Sequence, residues 1–133
     1  YFETKYYSNS SKILDEIKVY EKKLQSNPKV LYRIHLISGK LYKKQNEYKK
    51  AINEFLKADE ITTDLKLKAQ SISTANFLAD AYKLNKNWKE SNKYYEKAFN
   101  LREDLFNKDI INSTKKLDAV YQQAEQEKEI FLN

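Results

Sequence analysis

The 133-residue chain is long enough to form one domain with its own core, and its single glycine and single proline favour an all-helical fold. It has no cysteine, which excludes disulfide and thiolate chemistry and does not choose between cytoplasm and periplasm. The net charge of +6 invites a nucleic-acid interpretation, but only two of the 25 basic residues are arginines and the lysines alternate with acids. We therefore expect a mostly solvated lysine surface and no direct nucleic-acid contact.

The chain contains no methionine and opens on Tyr1 and Phe2, which favours a piece of a longer polypeptide. No run of 18 apolar residues occurs, so the sequence predicts no membrane span.

In chain order, residues 1–7 are predicted to end a helix, and the residues 8–11, all serine or asparagine, to form a turn. Residues 13–24 then carry apolar side chains at helical spacing. Asn27 and Pro28 fit the N-cap and the first position of the next helix, because proline needs no backbone N–H donor there.

A pair of helices follows, the first over residues 28–45 and the second over residues 47–61. The polar residues 45–47 turn the chain between them, since their central asparagine tolerates the left-handed conformation that ends a helix. The side chains of residues 62–64 are predicted to cap a longer helix over residues 65–84, whose extra length would explain a forty-residue period.

The last third of the chain is predicted to hold two more helices. Residues 85–87 turn the chain, residues 88–106 return it, and a final helix begins near residues 107–109. Four apolar residues fall seven apart along that helix: Ile110, Leu117, Ala124 and Phe131. Residues 125–129 include no apolar residue, so we expect the helix to project beyond the packed repeats there, or to fray.

A pattern of small and aromatic residues recurs along these helices. After Gly39, the members of the pattern are Tyr42, Tyr48, Ala51, Phe55 and Ala58. After Ala79, the same spacings give Tyr82, Trp88, Ser91, Tyr95 and Ala98. Residues 117–121 restart the pattern without a second helix after them. The recurrence predicts two clear repeats flanked by two partial ones.

These spacings resemble the tetratricopeptide repeat (TPR), in which small residues let two antiparallel helices approach and aromatic residues fill the remaining volume. The resemblance implies an all-α fold, a right-handed antiparallel helix-pair array (TPR α-solenoid) with a long C-terminal helix. His35 stands where the family often has tryptophan. Within one TPR domain of residues 1–133, the resemblance assigns a partial degenerate repeat to residues 1–28, repeats to residues 32–64 and 65–106, and a partial repeat with a projecting helix to residues 107–133.

The sequence offers little for catalysis. His35 is the only histidine, and no cysteine or serine motif is placed as a nucleophile beside it, so we interpret it as a packing residue or a partly exposed ring. Metal binding lacks a second histidine or a thiolate, and a phosphate loop is impossible with one glycine. We expect no enzyme, no metal and no cofactor.

The remaining candidate for a functional site is a binding surface. In proteins of the TPR type, the first helices of successive repeats line a concave groove that takes a peptide or a helix. Projecting that face onto this chain selects Arg33, Leu36, Lys40, Lys43, Asn76, Asp80, Lys83, Lys115 and Gln122. A basic groove with an amide fits an acidic peptide or a chain carboxylate. The alternative is that these are ordinary exposed residues around a groove filled by the protein's own segments.

Residues 101–132 resemble the junction in Bacteroidetes-type bacterial signalling proteins, where repeats run into a long charged helix. The resemblance rests on Asp104, Lys108, Leu117, Tyr121 and residues 127–129. It implies the sensory or regulatory repeat region of a histidine kinase or a helix-turn-helix transcriptional regulator, on either the cytoplasmic or the periplasmic side. The helix would transmit a binding event or pair with its copy in a homodimer. The alternatives are a stand-alone scaffold for protein assembly and, more weakly, nucleic-acid binding through lysines.

Overall fold

The computed structural model describes residues 2–132, with side chains from residue 9 onward except that of residue 10. The described residues form five helices and no strand, which confirms the prediction of an all-helical fold. The helices are α1 (Phe2–Lys23), α2 (Pro28–Lys44), α3 (Tyr48–Asp64), α4 (Lys68–Leu84) and α5 (Trp88–Leu132). Within residues 2–132 none of them is both long enough and apolar enough to cross a membrane.

Three turns of three residues join the helices from α2 onward, and all have the same geometry. Their central residues have positive φ angles: 61° at Asn46, 55° at Lys66 and 63° at Lys86. In each turn the following N–H bonds to a carbonyl five residues earlier, as from Glu47 to Tyr42 at 3.0 Å. This is the Schellman arrangement that satisfies the last carbonyls of a helix. The predicted left-handed Asn46 is confirmed.

The forty-residue period has a different origin from the one that we predicted. Because α2, α3 and α4 have 17 residues each and are joined by three-residue turns, α4 begins forty residues after α2. The predicted longer helix from Leu65 is therefore wrong. Residues 62–64 belong to α3 and do not cap α4: Thr62 is buried and its hydroxyl donates to the Asp59 carbonyl of its own helix at 3.0 Å. The turn forms later, around Lys66.

Two other predicted breaks are absent. Residues 8–11 lie inside α1, and residues 107–109 lie inside α5. Serine and asparagine cost only a few tenths of a kcal/mol each in a helix, so neither stretch interrupts one without glycine or proline. The N-cap prediction at Asn27 is confirmed, because its side chain accepts a bond from the Val30 N–H at 3.4 Å.

The chain divides into two compact units, Tyr1–Leu101 and Arg102–Asn133. The first unit holds the core, where the small residues of the repeat pattern let the helices approach. Ala51, Ala58 and Ala79 have no exposed surface. A Cβ placed on Gly39 would lie only 2.4 Å from Cε1 of Phe55, so the predicted close contact at this glycine is confirmed. In the second unit, every described residue except Leu105 is exposed.

Candidate interaction groove

One face of α2 lines two depressions that follow one another along the helix, in the first compact unit. The first has a volume of about 480 Å³ and is lined by Lys29, Tyr32, Arg33, Leu36, Leu67 and Gln70. The second has a volume of about 380 Å³ and is lined by Lys40, Lys43, Lys44, Asn46, Tyr48, Phe77 and Leu84. The opposite wall of both comes from α4 or the residue before it, and the second is also lined by Asn46 and Tyr48 at the turn into α3. We call these two depressions together the α2–α4 groove.

The periodicity of each helix explains why a single face is used. On α2, the lining residues from Lys29 to Lys44 recur at steps of three and four, which places them on one helical face. On α4, Gln70, Phe77 and Leu84 are seven residues apart and also share a face. Residues 29–44 span about 22 Å at 1.5 Å per residue, which matches about seven residues of an extended peptide.

The chemistry of the α2–α4 groove is basic at its rim and apolar between. Its cationic residues are Lys29, Arg33, Lys40, Lys43 and Lys44, and none of the described lining residues of the two depressions is acidic. The Lys40 ammonium lies 4.6 Å from the centre of the Phe77 ring, so this lysine spans the space between the two helices. Phe77 stacks in turn on buried Phe55, with ring centroids 5.6 Å apart, so the floor is fixed to the core.

The structure brings four of the nine candidate site residues into the groove: Arg33, Leu36, Lys40 and Lys43. Asn76, Asp80 and Lys83 lie on α4 but are not among the lining residues, and the Asp80 carboxylate instead accepts a hydrogen bond from the Tyr95 hydroxyl. Lys115 and Gln122 are exposed residues of the second unit. Sequence reasoning missed Gln70, Phe77 and Leu84, whose seven-residue spacing marks the α4 face that faces α2.

His35 is buried, as expected of a packing residue, and its ring nitrogens also contact two carboxylates. Its Nδ1 lies 2.7 Å from Oε2 of Glu54, and since an ionised carboxylate only accepts, Nδ1 donates. Its Nε2 faces Oε1 of Glu21 at 3.6 Å. The imidazole thus joins α1, α2 and α3 in one cluster. Among the side chains that the structure describes, no group of three from His, Cys, Asp and Glu is arranged to hold a metal ion.

A second set of polar contacts joins α3, α4 and the first part of α5. The Lys97 ammonium contacts both carboxylate oxygens of Asp59, at 2.9 and 3.0 Å. The hydrogen bond to Asp80, together with burial and the Asp80 charge, raises the pKa of Tyr95 to about 12. Burial, and then the Asp59 charge, raises the pKa of Tyr94, which stacks on Tyr82 at 5.6 Å. These tyrosines therefore pack between helices.

Comparison of the chain with protein-family models finds no matching family, and comparison with curated proteins finds no matching sequence.

Proposed function

We propose that this chain is a non-catalytic interaction module that holds an acidic peptide in the α2–α4 groove. The observation that carries the proposal is the basic character of that groove. Five cationic side chains surround an apolar floor over a length that fits an extended segment of about seven residues. Exposed carboxylates of a peptide would face the lysine and arginine rim, while one or two of its apolar side chains would contact Phe77 and Leu84.

The contacts between helices support the further proposal of a TPR-like array of antiparallel pairs. Along α2 and α3, contacts pair His35 with Glu54 and Tyr42 with Lys50, so the numbering rises on one helix as it falls on the other. Across the groove, α2 and α4 instead run in the same direction, because their first residues line the first depression and their last residues line the second. The period is forty residues rather than the 34 of the TPR.

The use of the side chains also supports a module without catalysis. The histidine, the residue most often used as a general base, has both ring nitrogens directed at carboxylates of neighbouring helices. This histidine is buried and packs between the helices of the core. The resemblance of residues 101–132 to bacterial signalling proteins extends the proposal to the regulatory repeat region of such a protein, with a stand-alone scaffold as the alternative.

Charge reversal within the groove tests the proposal. A displayed library of random seven-residue peptides is selected on the full chain, and the affinities of the selected peptides are then measured on two triple variants. The groove variant carries Arg33→Glu, Lys40→Glu and Lys43→Glu. The matched control carries Lys12→Glu, Lys57→Glu and Lys89→Glu at exposed positions that line neither depression, so both variants change the net charge equally.

We expect the selected peptides to be rich in Asp and Glu and to include an aromatic or aliphatic residue. Their affinity should fall about tenfold or more on the groove variant and less than about threefold on the control, because charges in contact act more strongly than distant ones. Circular dichroism should show that both variants keep the helical fold, since exposed charges add little stability. Equal losses on the two variants, or no acidic enrichment, would contradict the proposal.

A further inference from the structure

The second compact unit has an exposed apolar face. The exposed fraction of its side chains runs from 47% for Ile110 to 89% for Phe131. The members of the face are Phe106, Ile110, Leu117, Val120, Tyr121 and Phe131. Most of them repeat at steps of three, four and seven along α5, so they share one side of the helix.

The spacing has the period of a coiled coil. Ile110, Leu117, Ala124 and Phe131 occupy one heptad position, and they are all apolar. The position four residues earlier in each heptad is occupied by Phe106, Ser113, Val120 and Glu127. If each of the six large apolar side chains lost roughly 100 Å² of exposed surface, pairing would remove about 600 Å² per helix from water, close to the ~800 Å² per partner of a standard interface. One further helix is therefore enough to cover this face.

Charge is unevenly distributed along the same segment and decides the direction of that helix. Residues 108–116 carry three lysines and one aspartate, a net charge of +2. Residues 125–129 carry three glutamates and one lysine, a net charge of −2. A parallel pair of identical helices places like charge beside like charge at both ends, whereas an antiparallel pair places each basic stretch beside an acidic one.

We propose that residues 106–131 pair with the same residues of a second copy of the chain in an antiparallel coiled coil. Pairing the two heptad positions sets Phe106 against Phe131 of the other copy and Leu117 against Val120. The same register sets small Ser113 against small Ala124 and leaves Ile110 against Glu127 as the weakest layer. The proposal rests only on the second unit and does not depend on the α2–α4 groove.

The absence of cysteine allows an unambiguous test of direction. Ile110→Cys and Glu127→Cys are made separately in the full chain, so that each variant has one thiol. In the antiparallel register position 110 faces position 127 of the partner copy, while two copies of position 110 are about 25 Å apart along the axis. A disulfide needs Cα atoms within about 7 Å. Under mild oxidation we expect cross-linking only in an equal mixture of the two variants.

Sedimentation measures whether the pair forms at all. The unmodified chain should dimerise at micromolar concentration, and Leu117→Glu should weaken the dimer about tenfold or more, because it places a charge in the central layer. Ala119→Glu, on the other side of the helix, should leave the dimer unchanged. Disulfides within each variant alone would show a parallel pair, and a monomer at all concentrations would show no pair; either result overturns the proposal.

Discussion

Gly39→Ala tests whether the helix approach at this glycine is as close as the structure shows. The added Cβ would lie 2.4, 2.6 and 2.9 Å from three carbons of the Phe55 ring, distances that real Cβ contacts do not reach. The ring cannot move away easily, because it has no exposed surface and stacks on Phe77 at 5.6 Å. Overpacking of this kind costs about 1–3 kcal/mol, and the better helix propensity of alanine returns about 1 kcal/mol. The net loss should therefore lie between zero and about 2 kcal/mol.

Urea unfolding followed by circular dichroism measures this loss. Gly39→Leu should cost more than Gly39→Ala, since it adds more volume at the same contact. In the Phe55→Leu background the ring is absent, so Gly39→Ala should stabilise the chain by about 1 kcal/mol through helix propensity. The matched control is Ala79→Gly at the equivalent place in the next helix pair, which should lose about 1–2 kcal/mol from helix propensity and from the loss of a buried methyl group. A Gly39→Ala variant about 1 kcal/mol more stable than the unmodified chain, the gain from helix propensity alone, would refute the close contact.

Three further predictions follow from the turns, the buried cluster and the tyrosines. In the same urea assay, Lys66→Gly should stabilise the chain by about 0.5 kcal/mol, because glycine avoids the cost of a positive φ. The control Lys57→Gly, inside α3, should instead destabilise the chain by about 1 kcal/mol. His35→Ala should lower the unfolding free energy by about 2–4 kcal/mol, because it leaves a cavity and unpaired carboxylates, and a loss below 0.5 kcal/mol would contradict its core role. The folded-state pKa of Tyr95, about 12, lies above the unfolded value near 10, so the stabilising effect of its hydrogen bond should be complete below about pH 10 and disappear as pH rises through 12. Ultraviolet titration should show that Asp80→Asn lowers the pKa of Tyr95, and an unchanged titration curve would contradict this.

The elements that sequence reasoning located correctly are those with a local chemical signal. Asn27 and Pro28 mark a helix start, and Asn46 marks a left-handed turn, because their preferences are intrinsic. The turn at residues 85–87, which has an asparagine on either side of Lys86, was also predicted correctly, whereas the turn at Lys66 uses a residue with no such preference and was missed. For Lys66 the neighbouring threonines suggested caps instead, and the helix boundary was misplaced.

The candidate site was predictable on one helix and not on the other. On α2, projecting the concave face of the repeat pattern selected the stripe from Arg33 to Lys43, and these residues do line the groove. On α4, a projection of the repeat pattern selected Asn76, whereas Phe77 lines the groove. One residue corresponds to a rotation of 100° on a helix, so the error depends on packing angles that the sequence does not contain.

Hydrogen exchange on the full chain tests the central claim, peptide binding in the α2–α4 groove, most directly. Exchange is followed residue by residue with and without a saturating amount of a selected acidic peptide. We predict slower exchange in α2 and α4, the two helices that supply most of the groove lining, and unchanged exchange within residues 102–132. Protection confined to α3 or to residues 102–132, or no protection with the peptide bound, would contradict the assignment of the groove as the binding surface.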